Sequence, residues 1–482
     1  MYYCYVIIFN KIFILYIMLS HNYTQFGASA IASGGYGCVF NPALLCKGEK
    51  IRTHGISKLL IKKHADQELN EIKKFVPLIE QIPNHNKYFI ISNISSCIPD
   101  KLDQNDFIDF NPTCNKIISR VNVTEHTINN NLDKFKILNI PNGGSHIFNY
   151  FKTFNKETFD IFNNSLLILL TGGILPMNAK NIYHFDLKMD NMVIDNLNTI
   201  RIIDWGLAGI QNKKNIPEQA LNRPIQFNCP ITNILLNKDV RHLIKKALLD
   251  IKLPALASNT YLKYEYILPL LNKLMPEIYN LQYEGHLSYM KHFYVKYYKA
   301  KGVHQINTDD HLFKSIIIRY LAKAIITYTN KNTYEFSSEK YFNDVYKKNV
   351  DIFGFMTCYN DLYSYIIDNN TIWDDTLLSK NILLHKLHQL CNKYIYYNTY
   401  SDKAINYSEL ILDIQSLSFN KKKPNLLARH NPNSNKISNK KINKISIKMS
   451  NKMSNKKCKK GYRINKKHLN AKKYYIDNIY II

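Results

Sequence analysis

The chain has 482 residues and a formal net charge of +27, with 46% hydrophobic and 12% aromatic residues. That is enough apolar material to bury two or three domains' worth of core, and it excludes a chain disordered throughout. The charge is uneven: 19 Lys/Arg and no Asp or Glu fall between Lys421 and Lys473, leaving an ordinary +8 for the rest.

The first 19 residues are strongly apolar, within a leader spanning 1–25. Three readings compete. A membrane anchor needs about 20 apolar residues, and Asn10-Lys11 interrupt this run. A signal peptide would suit Ile12 to Leu19 and the Ala28-Ser29-Ala30 triplet, but cleavage there would remove the strand entering the next motif. The third reading is an upstream extension, with Met18 as the working start. Membrane association is expected only if residues 1–19 are an anchor.

Ala32 to Phe40 reads x-x-G-x-x-G-x-V, with Gly34, Gly35 and Gly37 in a turn and Val39 just after it. Glycines there let backbone amides approach phosphate oxygens, and Val39 would cover one face of an adenine. The other phosphate cradle, G-x-x-x-x-G-K-[ST], is absent from the chain. Gly55 to Ile61 predicts a strand carrying Lys58. A helix follows from about Asp66 to Glu80, with Leu69, Ile72, Phe75/Val76 and Ile79 at helical spacing. Glu68 and Glu71 share one face of it. Glu68, one turn before Ile72, is the preferred partner of Lys58. Tyr88 to Ile91 is read as the next strand, Ser92 to Asp133 as a polar insertion, Phe135 to Ile140 as a strand and Pro141 to Gly144 as a hinge.

Phe162 to Leu170 suits a buried helix. Tyr183 to Asn191 then reads H-x-D-L-K-x-x-N, followed by Asp204-Trp205-Gly206. Met192 to Ile194 and Thr199 to Ile203 alternate as a hairpin between them. The residue types fit phosphoryl transfer. Asp186 can orient a hydroxyl and accept its proton, Lys188 can neutralise the moving phosphoryl group, and Asn191 and Asp204 can hold Mg²⁺. His184 is read as a packed structural histidine.

From Gly34 to Asp204 the order of elements resembles the eukaryotic-type protein kinase family, and Lys188 resembles its Ser/Thr branch. The wording GGYGCVFNPAL and SKLL is similar to divergent kinases encoded by large DNA viruses. The resemblance implies an α+β, two-lobed fold: a small antiparallel sheet lobe with one helix over 26–140, and a large, mainly helical lobe over 141–419. It also implies ATP and Mg²⁺ as cofactors, a protein substrate offering Ser or Thr, and host cytoplasm as the location if the source is viral. Lys58, braced by Glu68, would grip the α- and β-phosphates.

There are departures from the family pattern. Ala32 stands for a glycine, Phe185 for the arginine before Asp186, Trp205 for the phenylalanine of D-F-G, and Ile231 for the glutamate of A-P-E near Pro230. Loss of that arginine implies a loop arranged without phosphorylation. Asp351, in Asp351 to Phe355, resembles the family's D-x-W-x-x-G start, whose aspartate accepts backbone hydrogen bonds from the catalytic loop; the plain alternative is a helix N-cap. Residues 232–350 then form a helical insertion.

The nine cysteines (Cys4, Cys38, Cys46, Cys97, Cys114, Cys229, Cys358, Cys391 and Cys458) include no C-x-x-C pair, so nothing in their spacing supports a zinc ribbon or thioredoxin-like site. An odd, dispersed set predicts free thiols in a reducing, intracellular compartment. From Asn420 onward the chain is Lys, Asn, Ser and Ile, with Ser-Asn-Lys at Ser434, Ser438, Ser450 and Ser454. Such composition predicts a disordered basic tail over 420–482, whose charge suits nucleic acid, acidic proteins or anionic membrane. Rival readings are a pseudokinase scaffold, a small-molecule kinase and a nucleic-acid-binding protein acting through the tail.

Overall fold

The computed structural model describes residues 28–33, 37–152, 154–213, 215–221, 223–250, 262–282, 286, 288–291, 309–368 and 377–420. The expectations for the leader, for Gly34 and Gly35 and for the tail beyond Asn420 lie outside these residues. The protein is α+β. A five-stranded antiparallel sheet comes first, and helices with two small sheets follow.

The large sheet is built from β1 (Ser29–Ser33), β2 (Gly37–Asn41), β3 (Ile56–Ile61), β4 (Ser95–Cys97) and β5 (Phe135–Ile140), in the order β1-β2-β3-β5-β4. Alternation decides its two faces. Cys38, Phe40, Leu59, Phe135 and Ile137 point outward into one core, which is closed by Phe110, Cys114, Ile117 and Ile118. Leu60 and Leu138 point the other way, against Ala65. Helix α1 (Lys62–Ile79) covers that inner face. It begins directly after β3, four residues earlier than its sequence pattern suggests.

Residues 92–133 correct the sequence reading. The segment is not a polar excursion but a folded cap. Its helix α2 (Phe110–Ile118) buries Phe110, Cys114, Ile117 and Ile118 on the outer face of the sheet. Disulfides fasten the cap: Cys38 on β2 joins Cys114 on α2, and Cys46 joins Cys97 on β4. The free-thiol expectation is therefore wrong for these four cysteines, and the compartment argument built on it loses its basis. Spacing could not reveal pairs 76 and 51 residues apart. Cys229, Cys358 and Cys391 are free and buried.

Tyr88 to Ile91 does not join the large sheet as a strand. Ile90 N–H donates to the Ile202 carbonyl at 3.0 Å and Ile202 N–H to the Tyr88 carbonyl at 2.8 Å. The segment is thus spent on bridging to the second half of the molecule, while Phe89 and Ile91 enter the main core.

That second half opens with β6 (Ser145–His146) and α3 (Lys156–Leu169). Asn155 starts α3 with a reciprocal cap: its Oδ1 accepts from Thr158 N–H at 2.9 Å, and Thr158 Oγ1 accepts from Asn155 N–H at 2.8 Å. The stretch Lys156–Ala179 is long and apolar enough to cross a membrane, but half of it is buried in the protein, as suits a core helix. Next come β7 (Ile182–Tyr183), the β8 (Met192–Ile194) and β9 (Ile200–Ile202) hairpin, and β10 (Gly209–Ile210) paired with β7. Helices α4 (Lys238–Asp250), α5 (Tyr264–Gln282), α6 (Asp309–Tyr328), α7 (Lys347–Asp368), α8 (Leu377–Cys391) and α9 (Tyr407–Gln415) complete it. Their apolar residues share one core with α1, α3 and the hairpin.

Candidate active site

The segment carrying His184, Phe185 and Asp186 leaves β7 and is held from beneath by α7. Asp351, fully buried within that helix, accepts from His184 N–H through Oδ2 and from Phe185 N–H through Oδ1, both at 2.9 Å. Asp351 lies inside the helix, so the N-cap alternative is not what is seen. Burial pushes its carboxyl up, to about 7, while the two backbone donors and nearby Arg223 favour the anion. One turn on, Gly354 allows the close approach: a Cβ there would sit 2.5 Å from the Leu187 carbonyl oxygen.

Asp186 is almost buried, and its carboxylate is tied on both oxygens. Oδ2 accepts from Asn191 Nδ2 at 2.9 Å and lies 3.4 Å from Lys188 Nζ. Oδ1 accepts from Asn228 Nδ2 at 2.8 Å and lies 4.0 Å from the Arg223 guanidinium. Asn191 Nδ2 also donates to the Asp186 carbonyl at 2.8 Å. With its nitrogen committed, Asn191 keeps Oδ1 as the atom to offer a cation.

The second loop is zipped to the first. Ile203 N–H donates to the Asn191 carbonyl at 3.0 Å, and the next residue, Asp204, is exposed. Phe185 (φ 59°) and Asp204 (φ 64°) both hold left-handed backbone without being glycine. Such conformations cost on the order of 1 kcal/mol or more and persist where the surroundings over-determine them. Trp205 supplies that constraint beside Asp204. Its ring meets Phe75 of α1, Phe89 and His184 at centroid distances of 5.8, 5.6 and 5.3 Å, and its Nε1–H donates to the Ile90 carbonyl at 3.2 Å. His184 is fully buried, with Nε2 3.1 Å from the Ile203 carbonyl, and burial pushes its imidazole below the usual range. It is a packed histidine, as its setting in the sequence suggests.

On the sheet, Lys58 Nζ lies 2.8 Å from each carboxylate oxygen of Glu68 on α1. Glu71, the alternative partner, pairs with Lys74 instead. Val39 is the cross-strand partner of Lys58, so the two side chains share the inner face. Gly37 sits where a Cβ would come 2.8 Å from the Leu59 carbonyl oxygen.

Asp186, Lys188 and Asn191 therefore converge, Asp204 follows a residue bonded to Asn191, and Lys58 and Glu68 form a separate pair on the sheet. Arg223 and Asn228, just upstream of Pro230, are not among the site residues expected from the sequence. Ile231, in place of a glutamate, is buried in the core. Among the described residues no group of three or more His, Cys, Asp and Glu side chains could hold a metal ion. The donors present, one carboxylate and one amide oxygen, instead fit Mg²⁺, which takes one or two protein oxygens and completes its shell with phosphate and water.

The fold and site thus define an α+β protein with a buried, doubly anchored aspartate beside a lysine and a carboxamide. No family model matches the chain, and a search of curated proteins returns no match.

Proposed function

We propose that the protein is an ATP- and Mg²⁺-dependent kinase that transfers the γ-phosphoryl group to Ser or Thr hydroxyls of protein substrates. On this reading the large sheet with α1 is the small lobe of a protein-kinase-like fold, and the helical half is the large lobe. What carries the reading is the constellation around Asp186: a carboxylate fixed by Asn191 and Asn228, with Lys188 Nζ 3.4 Å away and the Asp204 loop bonded to Asn191.

ATP with Mg²⁺ supplies the transferable phosphoryl group. Asp186 orients the attacking hydroxyl and accepts its proton. Lys188 offsets charge on the moving group. Asn191 Oδ1 and the Asp204 carboxylate are the protein's metal ligands. Lys58, its charge aimed by Glu68, would grip the α- and β-phosphates, with Gly37 and Val39 on the nucleotide side of the sheet. Buried His184 and Asp351 do not meet the substrate; they fix the backbone that presents Asp186.

The test is incorporation of labelled phosphate by the wild type, Asp186→Ala and Asp204→Ala. Each variant should lose transfer by about 10²-fold or more, and Asp186→Ala should still bind nucleotide. Transfer that survives both changes would refute the assignment. Nucleotide binding by a wild type that transfers nothing would favour a scaffold.

A further inference from the structure

We infer that Arg223 and Asn228 are positioning residues: they hold Asp186 and the preceding peptide from the far side, so the site is assembled without modification of the segment that carries them. This rests on the phosphotransfer reading above.

Phe185 is the strained residue of the catalytic segment, with φ at 59°. Its peptide groups are pinned at both ends. The N–H donates to Asp351 at 2.9 Å, and the carbonyl accepts from Arg223 Nη1 at 2.7 Å. The other arm of the guanidinium, Nη2, donates to Gln226 Oε1 at 2.5 Å. Arg223 is 7% exposed, so its donors are turned inward. A buried arginine spent in this way supplies the cation that Phe185 cannot, and it has no outward fork to offer a phosphate group.

Asn228 acts on the side chain itself. One Nδ2 bridges Asp186 Oδ1 at 2.8 Å and the Leu187 carbonyl at 3.2 Å. It is 1% exposed. Two donor hydrogens on one nitrogen are needed for that bridge, so neither an aspartate nor a hydroxyl can replace it. Oδ2 is held from the opposite side by Asn191. Together the two amides fix the plane of the carboxylate.

The experiment compares wild type, Asn228→Asp, Asn228→Ser, Arg223→Lys and Asp186→Ala, each tested before and after phosphatase treatment. Asn228→Asp removes both donors and places a like charge on Asp186. Its kcat should fall about tenfold or more with KM for ATP little changed. Asn228→Ser removes the amide without adding a charge, so it should lose less rate than Asn228→Asp. Arg223→Lys keeps the charge but loses the fork, and should lower kcat with binding of a fluorescent ATP analogue retained. Phosphatase-treated wild type should keep full activity.

An unmoved kcat in folded Asn228→Asp, with Asp186→Ala inactive, would overturn the inference and leave the kinase reading standing. So would a wild type active only after treatment with an upstream kinase. No transfer by wild type under any treatment would sink both.

Discussion

Lys58 is useful only because Glu68 fixes where its charge points. Both carboxylate oxygens lie 2.8 Å from Nζ, a geometry that an isolated strand lysine does not have. Glu68→Gln should weaken transfer by about 10–100-fold, whereas Glu71→Gln, whose partner is the exposed Lys74, should change it less than about twofold; steady-state rates on the two variants decide this. His184 gives a pH signature. Its Nε2 faces the Ile203 carbonyl while Nδ1 is buried without a partner, so a second proton would have no acceptor. Its folded pKa is depressed, so its stabilisation is complete above the unfolded value of 6.5 and is lost as pH falls below it. Asp351, raised from 3.8 to about 7, gives the opposite slope between those values. Unfolding free energies of wild type minus His184→Gln isolate the histidine: the difference should shrink by about 1 kcal/mol per pH unit below 6.5. Glu68 was legible because a helical face narrows the choice to two residues. Arg223 and Asn228 were not, because their partners lie 38 and 42 residues back in the chain and no local period links them.

At the scale of elements, α7 shapes the site, while the 92–133 cap closes the outer face of the large sheet. Helix α7 must touch the segment that carries Asp186, and Gly354 permits it. Gly354→Ala would push a methyl against the Leu187 backbone carbonyl. We expect a loss of about 1–3 kcal/mol, with activity falling more than stability; a denaturant curve and a rate on the same sample check both. The cap was misread because its polar surface outnumbers its buried residues, and one face of α2 is all a single-sided layer needs. One disulfide binds it to β2 through Cys38 and Cys114, and the other joins Cys97 on β4 to Cys46 in the segment after β2. Reducing them should cost about 2–4 kcal/mol each at most, seen as a lower melting temperature with dithiothreitol and reproduced by Cys114→Ser. An unshifted melt would argue against the pairing. Tyr88 to Ile91 looked like a strand because apolar residues alternate poorly with anything else nearby. Its hydrogen bonds go to β9, a choice the sequence could not display.

Across the whole molecule, one apolar core runs from α1 through the hairpin to α9, while the outer face of the large sheet has a core of its own. Asp186, Lys188 and Asn191 meet because they lie within one short run, whereas Lys58 stands on the sheet and is braced from α1. Trp205 lies at the meeting point, in contact with Phe75 of α1, with Phe89 and with His184. It is 2% exposed, and the chain has two tryptophans, the other being Trp373. The indole is therefore a built-in optical gauge. In a Trp373→Phe background, its emission should be blue-shifted at rest and should move to the red, with rising acrylamide quenching, whenever α1 swings away from the Asp204 loop.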